Sequence, residues 1–357
     1  MKHWIMLLLA LLCLTGTAQA STIPNDLQQA LPEEARSLVE EDWTRPEDFH
    51  SSVLNLLESA QGRAAQIFRQ RLRNAVQVLL VVLLCGVLDG AFTASGGKGA
   101  AFLPMAGAIS VTALSAGSVE SLLGLGSRTI HQLSHFSEVL LPALAAASAA
   151  AGGVTGATMR QLLTLLFIEL LVQLIDRLLV PLVLLYIALL TASGCLRDNR
   201  LEILAEGLKK GTSWVLCTVL LIFTAYLSVT KVVSGSADLM TVKLTKAAVS
   251  GAVPVVGSII AEAAETVLAG AGLLRNSIGL FGMLAVFAAC VYPFLQLGIQ
   301  YVLYKLVSFL SSVVGLPGLC KLINGLGGAF GLMLAMTGSC ALLLLLSILS
   351  FVSVVVP

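Results

Sequence analysis

His131 and His135 stand four residues apart and Glu138 follows at the next helical turn, so on a helix the three side chains share one side, as the ligands of a metal site would. The same residues suit a turn at the membrane surface between two apolar segments, where imidazole and carboxylate simply meet water. The second reading is the plainer one, and no metal is expected. Gly96, Gly97 and Lys98 lack the spacing and the following Ser or Thr of a phosphate-cradling loop, and neither H-E-x-x-H nor G-x-S-x-G occurs. Neither an enzymatic activity nor a bound cofactor is expected. Anything this protein moves would draw its energy from an ion gradient or from a partner.

Charge inside apolar sequence is the second chemical feature. A charged side chain at mid-membrane costs about 2.5–3.5 kcal/mol on insertion scales, and Asp89, Glu169, Asp176 and Arg177 all fall in otherwise apolar runs. Asp176 and Arg177, with Pro181 after them, interrupt 162–195, which reads as a tight hairpin or as one long kinked helix. The stretch 231–275 is too polar for an ordinary span and too apolar for a loop. In it Asp238, Lys243 and Lys246 precede a break containing Pro254 and Gly257, after which Glu262 and Glu265 share a helical face. Two amphipathic helices around such a break form either a re-entrant hairpin or a pair of surface helices under a bundle. These residues are the candidate conduit or partner surface.

Composition sets the elements that must position these groups. Of 357 residues, 57% are hydrophobic and 11% charged, and the mean hydropathy is +0.94, whereas a soluble domain carries about 25% charged residues. The expected fold class is all-α, a polytopic transmembrane helical bundle of about seven spans, with roughly six to nine tolerable. A net charge of +1 and the lack of a basic stripe exclude a general affinity for nucleic acid. Lys2 and His3, the apolar run 4–14 and an A-x-A site ending at Ala20 read as a cleavable signal peptide over 1–20. An exported polar segment, 21–74, follows, acidic early and arginine-rich late, with the spacing of short amphipathic helices.

The first group of membrane spans occupies 75–230, with runs at 75–92, 102–125, 139–159, the double run 162–195, and 212–230. A C-terminal group occupies 276–357, with runs at 277–297, 301–314 and 328–355. The basic loop near 196–211, with Arg197, Arg200, Lys209 and Lys210, belongs in the cytoplasm. With an exported N-terminus and every earlier run crossing, it reaches that side only if 162–195 is a hairpin, which favours the hairpin. Cys13 lies in the export signal, and the other cysteines sit in or beside apolar runs without a C-x-x-C, as small hydrophobes. Gly86 with Gly90, Gly152 with Gly156, and Gly327 with Gly331 form G-x-x-x-G pairs that let backbones approach, within a packed bundle or a homo-oligomer.

The pattern Asp238-x4-Lys243-x2-Lys246, then Pro254-Val255-Val256-Gly257 and the acidic helix with Glu262 and Glu265, resembles the stage III sporulation protein AE family. Ala30-Leu31-Pro32-Glu33-Glu34 after an export signal, the basic loop before Trp214 and the long apolar C-terminus fit the same layout. The family position at Glu262 is often aspartate. The resemblance implies a membrane subunit of the sporulation channel or secretion-like complex linking mother cell and forespore, required for late forespore development. It also implies partners, namely other membrane proteins of that complex and a forespore protein, and a place in the mother-cell membrane surrounding the forespore. The alternative is an autonomous secondary transporter driven by an ion gradient, a class that shows internal repeats and broken helices at the midplane; one broken segment is visible here and no second copy.

Overall fold

A computed structural model describes residues 25–36, 49–94, 102–151, 154–196, 199–252, 257–313 and 316–352, with the backbone alone at 25, 33–34, 49–53, 57, 154–156, 160, 199 and 230–268. The expected signal peptide, 1–20, lies outside the described residues. Two short helices, α1 (Asn25–Gln29) and α2 (Glu33–Arg36), precede a set of long rods. These are α3 (Phe49–Ala94), α4 (Phe102–Ala150), α5 (Val154–Leu174) continued through a π turn (Ile175–Leu179) into α6 (Val180–Leu196), α7 (Asn199–Ala252), α8 (Gly257–Ser312) and α9 (Pro317–Val352). No strand occurs among the described residues. With α5 and α6 taken as one rod, 6 helices among the described residues are long and apolar enough to cross a membrane, at the lower edge of the expected range.

The rods exceed what a bilayer requires. The 49 residues of α4 extend about 73 Å at about 1.5 Å per residue, against a hydrocarbon core of about 30 Å. Runs that read as separate spans are joined: 102–125 and most of 139–159 lie on α4, and 277–297 and 301–314 both lie on α8, with Pro142 and Pro293 inside the helices. The interruption in 162–195 is not a hairpin. The chain passes through Asp176 and Arg177 as a π turn whose flanking residues, Leu174 and Val180, keep helical backbone angles. Asp176 finds its partners on α4, so the chain has no need to surface there.

Contacts between rods fix an up-and-down order. Gly327 lies against Tyr304, Gly331 against the ring of Tyr301 and Gly279 against Val352, which makes α8 and α9 antiparallel along their length. Gly194 near the end of α6 meets Ala108 near the start of α4, and Glu202 at the start of α7 pairs with Lys321 at the start of α9, 2.8 Å apart. The turns after α3, α6 and α8 therefore share one end of the bundle, and those after α4 and α7 share the other. If each rod crosses once, α3, α4 and the α5–α6 rod carry an exported N-terminus to a cytoplasmic Arg200–Lys210 cluster, without any hairpin. Joining two runs and straightening a third leave the parity as it was. Lys209 and Lys210 lie on α7 itself rather than in a loop.

The core is built around α8 and α9, where Phe281, Tyr304, Phe330, Met333 and Leu343 are fully buried. Gly327 is a position where close approach requires glycine: a Cβ there would meet the Tyr304 Cβ at 3.2 Å, with backbone of Lys305 and Tyr301 at 3.7 Å behind it. The Gly327/Gly331 pair thus serves the use that its spacing suggested, inside one chain. Gly90, by contrast, has open space around it.

Gly327→Leu is expected to force α8 and α9 apart and to destabilise the bundle by about 1–3 kcal/mol, read as a lower unfolding temperature in detergent. Gly298→Ala, with nothing within 4 Å of its Cβ position, should leave that temperature unchanged or slightly raised. Single cysteine probes at Ser51 and Ser258 should react with an impermeant thiol reagent from the same side of the membrane, and a probe at Asp198 from the opposite side. Labelling of 51 and 198 from one side would contradict the up-and-down order.

Candidate functional site

Asp238, Lys243 and Lys246 fall on the last turns of α7, Gly257 is the first residue of α8, and Glu262 and Glu265 follow in its first turns. Pro254 and the break 253–256 lie outside the described residues, as do the side chains of all these positions. The backbone shows that both arms of the 231–275 hairpin are helical and run straight on from the rods. The hairpin extends from the end of the bundle opposite the Arg200–Lys210 cluster.

Within the bundle a belt of polar side chains ties outer rods to inner ones. The Arg71 Nε on α3 donates to the Oε1 of Gln296 on α8 at 3.1 Å, and the Gln296 amide donates onward to the Tyr292 hydroxyl at 2.7 Å. Asn74 donates to Ser118 at 3.2 Å, and the buried Tyr304 hydroxyl donates to Ser115 at 2.9 Å, both on α4. Thr112 and Thr191 join α4 to α6 at 3.1 Å. Apolar solvent gives helices little reason to associate, so such bonds, with small-residue packing, are what holds rod to rod. Arg71 belongs to the arginine-rich run before the first span, on the side that positive-inside statistics disfavour. Its guanidinium is turned inward and used as a structural donor.

Two polar hollows are open to the outside. At the basic end a cavity of about 600 Å³ is lined by Tyr186, Glu202, Glu206, Lys209, Lys321 and Asn324 among others. The Tyr186 hydroxyl donates to the Gly325 carbonyl at 3.0 Å and Lys321 pairs with Glu202, so charges of both signs face one another there.

Midway along the bundle a cleft of about 490 Å³ lies between α4 and the α5–π turn, lined by His131, His135, Glu138, Glu169, Asp176 and Arg177 among others. His131 Nε2 sits 2.8 Å from one Asp176 oxygen, and the Ser127 hydroxyl donates to the other at 3.1 Å. Gln173 donates to Glu169 at 2.7 Å. Among the described residues no group of three His, Cys, Asp or Glu side chains could hold a metal ion. His131, His135 and Glu138 do share a helical side, but His131 is turned across to Asp176. The pairing of α4 with the π turn was invisible in the sequence, because each run announces a stray charge and neither announces the other.

Comparison with curated proteins and with solved structures returns no match. The family model of stage III sporulation protein AE matches residues 37–354, a range that takes in every long rod. The chain, helical with 6 candidate spans among its described residues and matched over nearly its full length, belongs to the stage III sporulation protein AE family.

Proposed function

We propose that this sporulation protein is a membrane subunit of the channel or secretion-like complex linking mother cell and forespore, acting in the mother-cell membrane that surrounds the forespore and required for late forespore development. The family match across 37–354 supports this reading. Its 6 candidate spans among the described residues agree with it. The partners are then other membrane proteins of the same complex and a forespore protein.

The 231–275 hairpin is the surface for that forespore partner. The hairpin leaves the bundle at the end where α3 begins, opposite the basic cluster. An exported N-terminus therefore puts Asp238, Lys243, Lys246, Pro254, Gly257, Glu262 and Glu265 outside the mother-cell cytoplasm. A charged, helical projection there has only water or another protein to meet.

Deleting the gene in its sporulating host should arrest development after engulfment, with late forespore expression lost, and expression in the mother cell alone should restore it. Arrest before engulfment, or rescue only from the forespore, would overturn the proposal. For the hairpin, Glu262→Gln combined with Glu265→Gln, and separately Gly257→Leu, should lower spore yield while membrane insertion and protein level stay normal. Full spore yield from both variants would remove 231–275 as the partner surface.

A further inference from the structure

At the height of the π turn the bundle has two unlike flanks. Phe167 on α5 packs against Phe223 on α7 with ring centroids 5.3 Å apart, Gly126 on α4 meets Met333 on α9, and Leu140 meets Gly282 on α8. These contacts fall within a band about 21 Å deep along α4, from Gly126 to Leu140, to which the π turn is joined at His131. There, 211–230 of α7, 276–304 of α8 and 322–352 of α9 contain no Asp, Glu, Lys or Arg. Leu221 and Ile222 are 69% and 51% exposed on that flank, as lipid-facing side chains should be. On the other flank α4 exposes Arg128, His131, His135 and Glu138, and the α5–π turn exposes Glu169 and Arg177.

A bilayer that covers the apolar flank covers this level on every side. Ionisable groups within the membrane face a bundle interior or a water-filled cavity, because hydrocarbon cannot solvate them. Here they face outward from the single bundle. We propose that the α4–α5 flank is a water-facing wall within the membrane, lining an aqueous path that is closed by neighbouring subunits. The His131–Asp176 contact pins α4 to the π turn and so holds the two strips of that wall together. A π turn suits the place, since its widened loop of backbone carries Asp176 towards α4 while the rod continues above and below. The wall carries both signs, with Glu138, Glu169 and Asp176 set against Arg128 and Arg177. A ring of one charge selects ions by sign, and a mixed wall does not, so the path suits small polar or zwitterionic solutes.

This inference rests on the reading of the chain as one subunit of an assembly, because a single bundle cannot close the path. The test is made on the full-length protein in membranes from sporulating cells, with the native cysteines replaced. Single cysteines are placed at Glu138, His135 and Gln173 on the wall, and at Leu221 and Ile222 on the opposite flank at the same level. An impermeant thiol reagent is then applied from each side of sealed vesicles. The wall positions should label from at least one side and positions 221 and 222 from neither. Equal labelling of both flanks would mean that the level is not in the bilayer, and protection of the wall would mean that lipid or protein covers it; either result overturns the proposal. Labelling is read on the chain itself, so a deletion strain that sporulated normally would refute the sporulation role and leave this result standing.

Discussion

Every backbone N–H and C=O that enters a hydrocarbon layer has to find its partner inside its own segment or a closed barrel, since no water is present to stand in. The rods of this protein follow from that condition. α4 runs through its polar middle and past Pro142 without a break, and α8 does the same past Pro293, because a helix already satisfies its own backbone while a turn would leave donors and acceptors open. With the backbone committed to helix, the side chains are what remains adjustable. The placement of a few charged and amide groups then decides how rods associate and which flanks lipid can touch.

The fold class could be read from composition and run length, as could the existence of each apolar segment. Where one rod ended and the next began could not. The stretch around His131, His135 and Glu138 looked like a surface turn because polar residues interrupt an apolar run. In the structure those residues occupy the outward face of a helix whose opposite face buries Leu133, Phe136 and Leu140 completely. Hydropathy summed along a chain cannot separate a polar face from a polar turn; only the phase of the buried residues does. Asp176 misled for a related reason, since its partners Ser127 and His131 lie on another rod. The 231–275 segment was recognisable as helical on both arms, and the backbone of α7 and α8 agrees with that; the break between them lies outside the described residues.

The same economy of polar groups accounts for one member of the arginine run that conflicts with the charge rule for topology. Arg71 is withdrawn from the surface to Gln296, while Lys209, Lys305 and Lys321 gather at the far end of the bundle around Tyr186 and Asn324. The bundle thus has a cationic end set by α7, α8 and α9 together. Positive-inside statistics favour the cytoplasm for that end.

The π turn at Ile175–Leu179 also bears on how such a rod could have acquired its charges. A wide turn takes up one residue beyond the ordinary helical count and returns the chain to its former phase, so α5 below it and α6 above it keep the faces they would have had without it. Tyr186 still reaches Gly325, and Phe167 still reaches Phe223. A single inserted codon would therefore have been absorbed locally, presenting a carboxylate to the neighbouring helix while every downstream contact stayed in register. In a packed bundle, where an insertion ordinarily rotates everything after it, this is one of the few ways for a sequence to lengthen and survive.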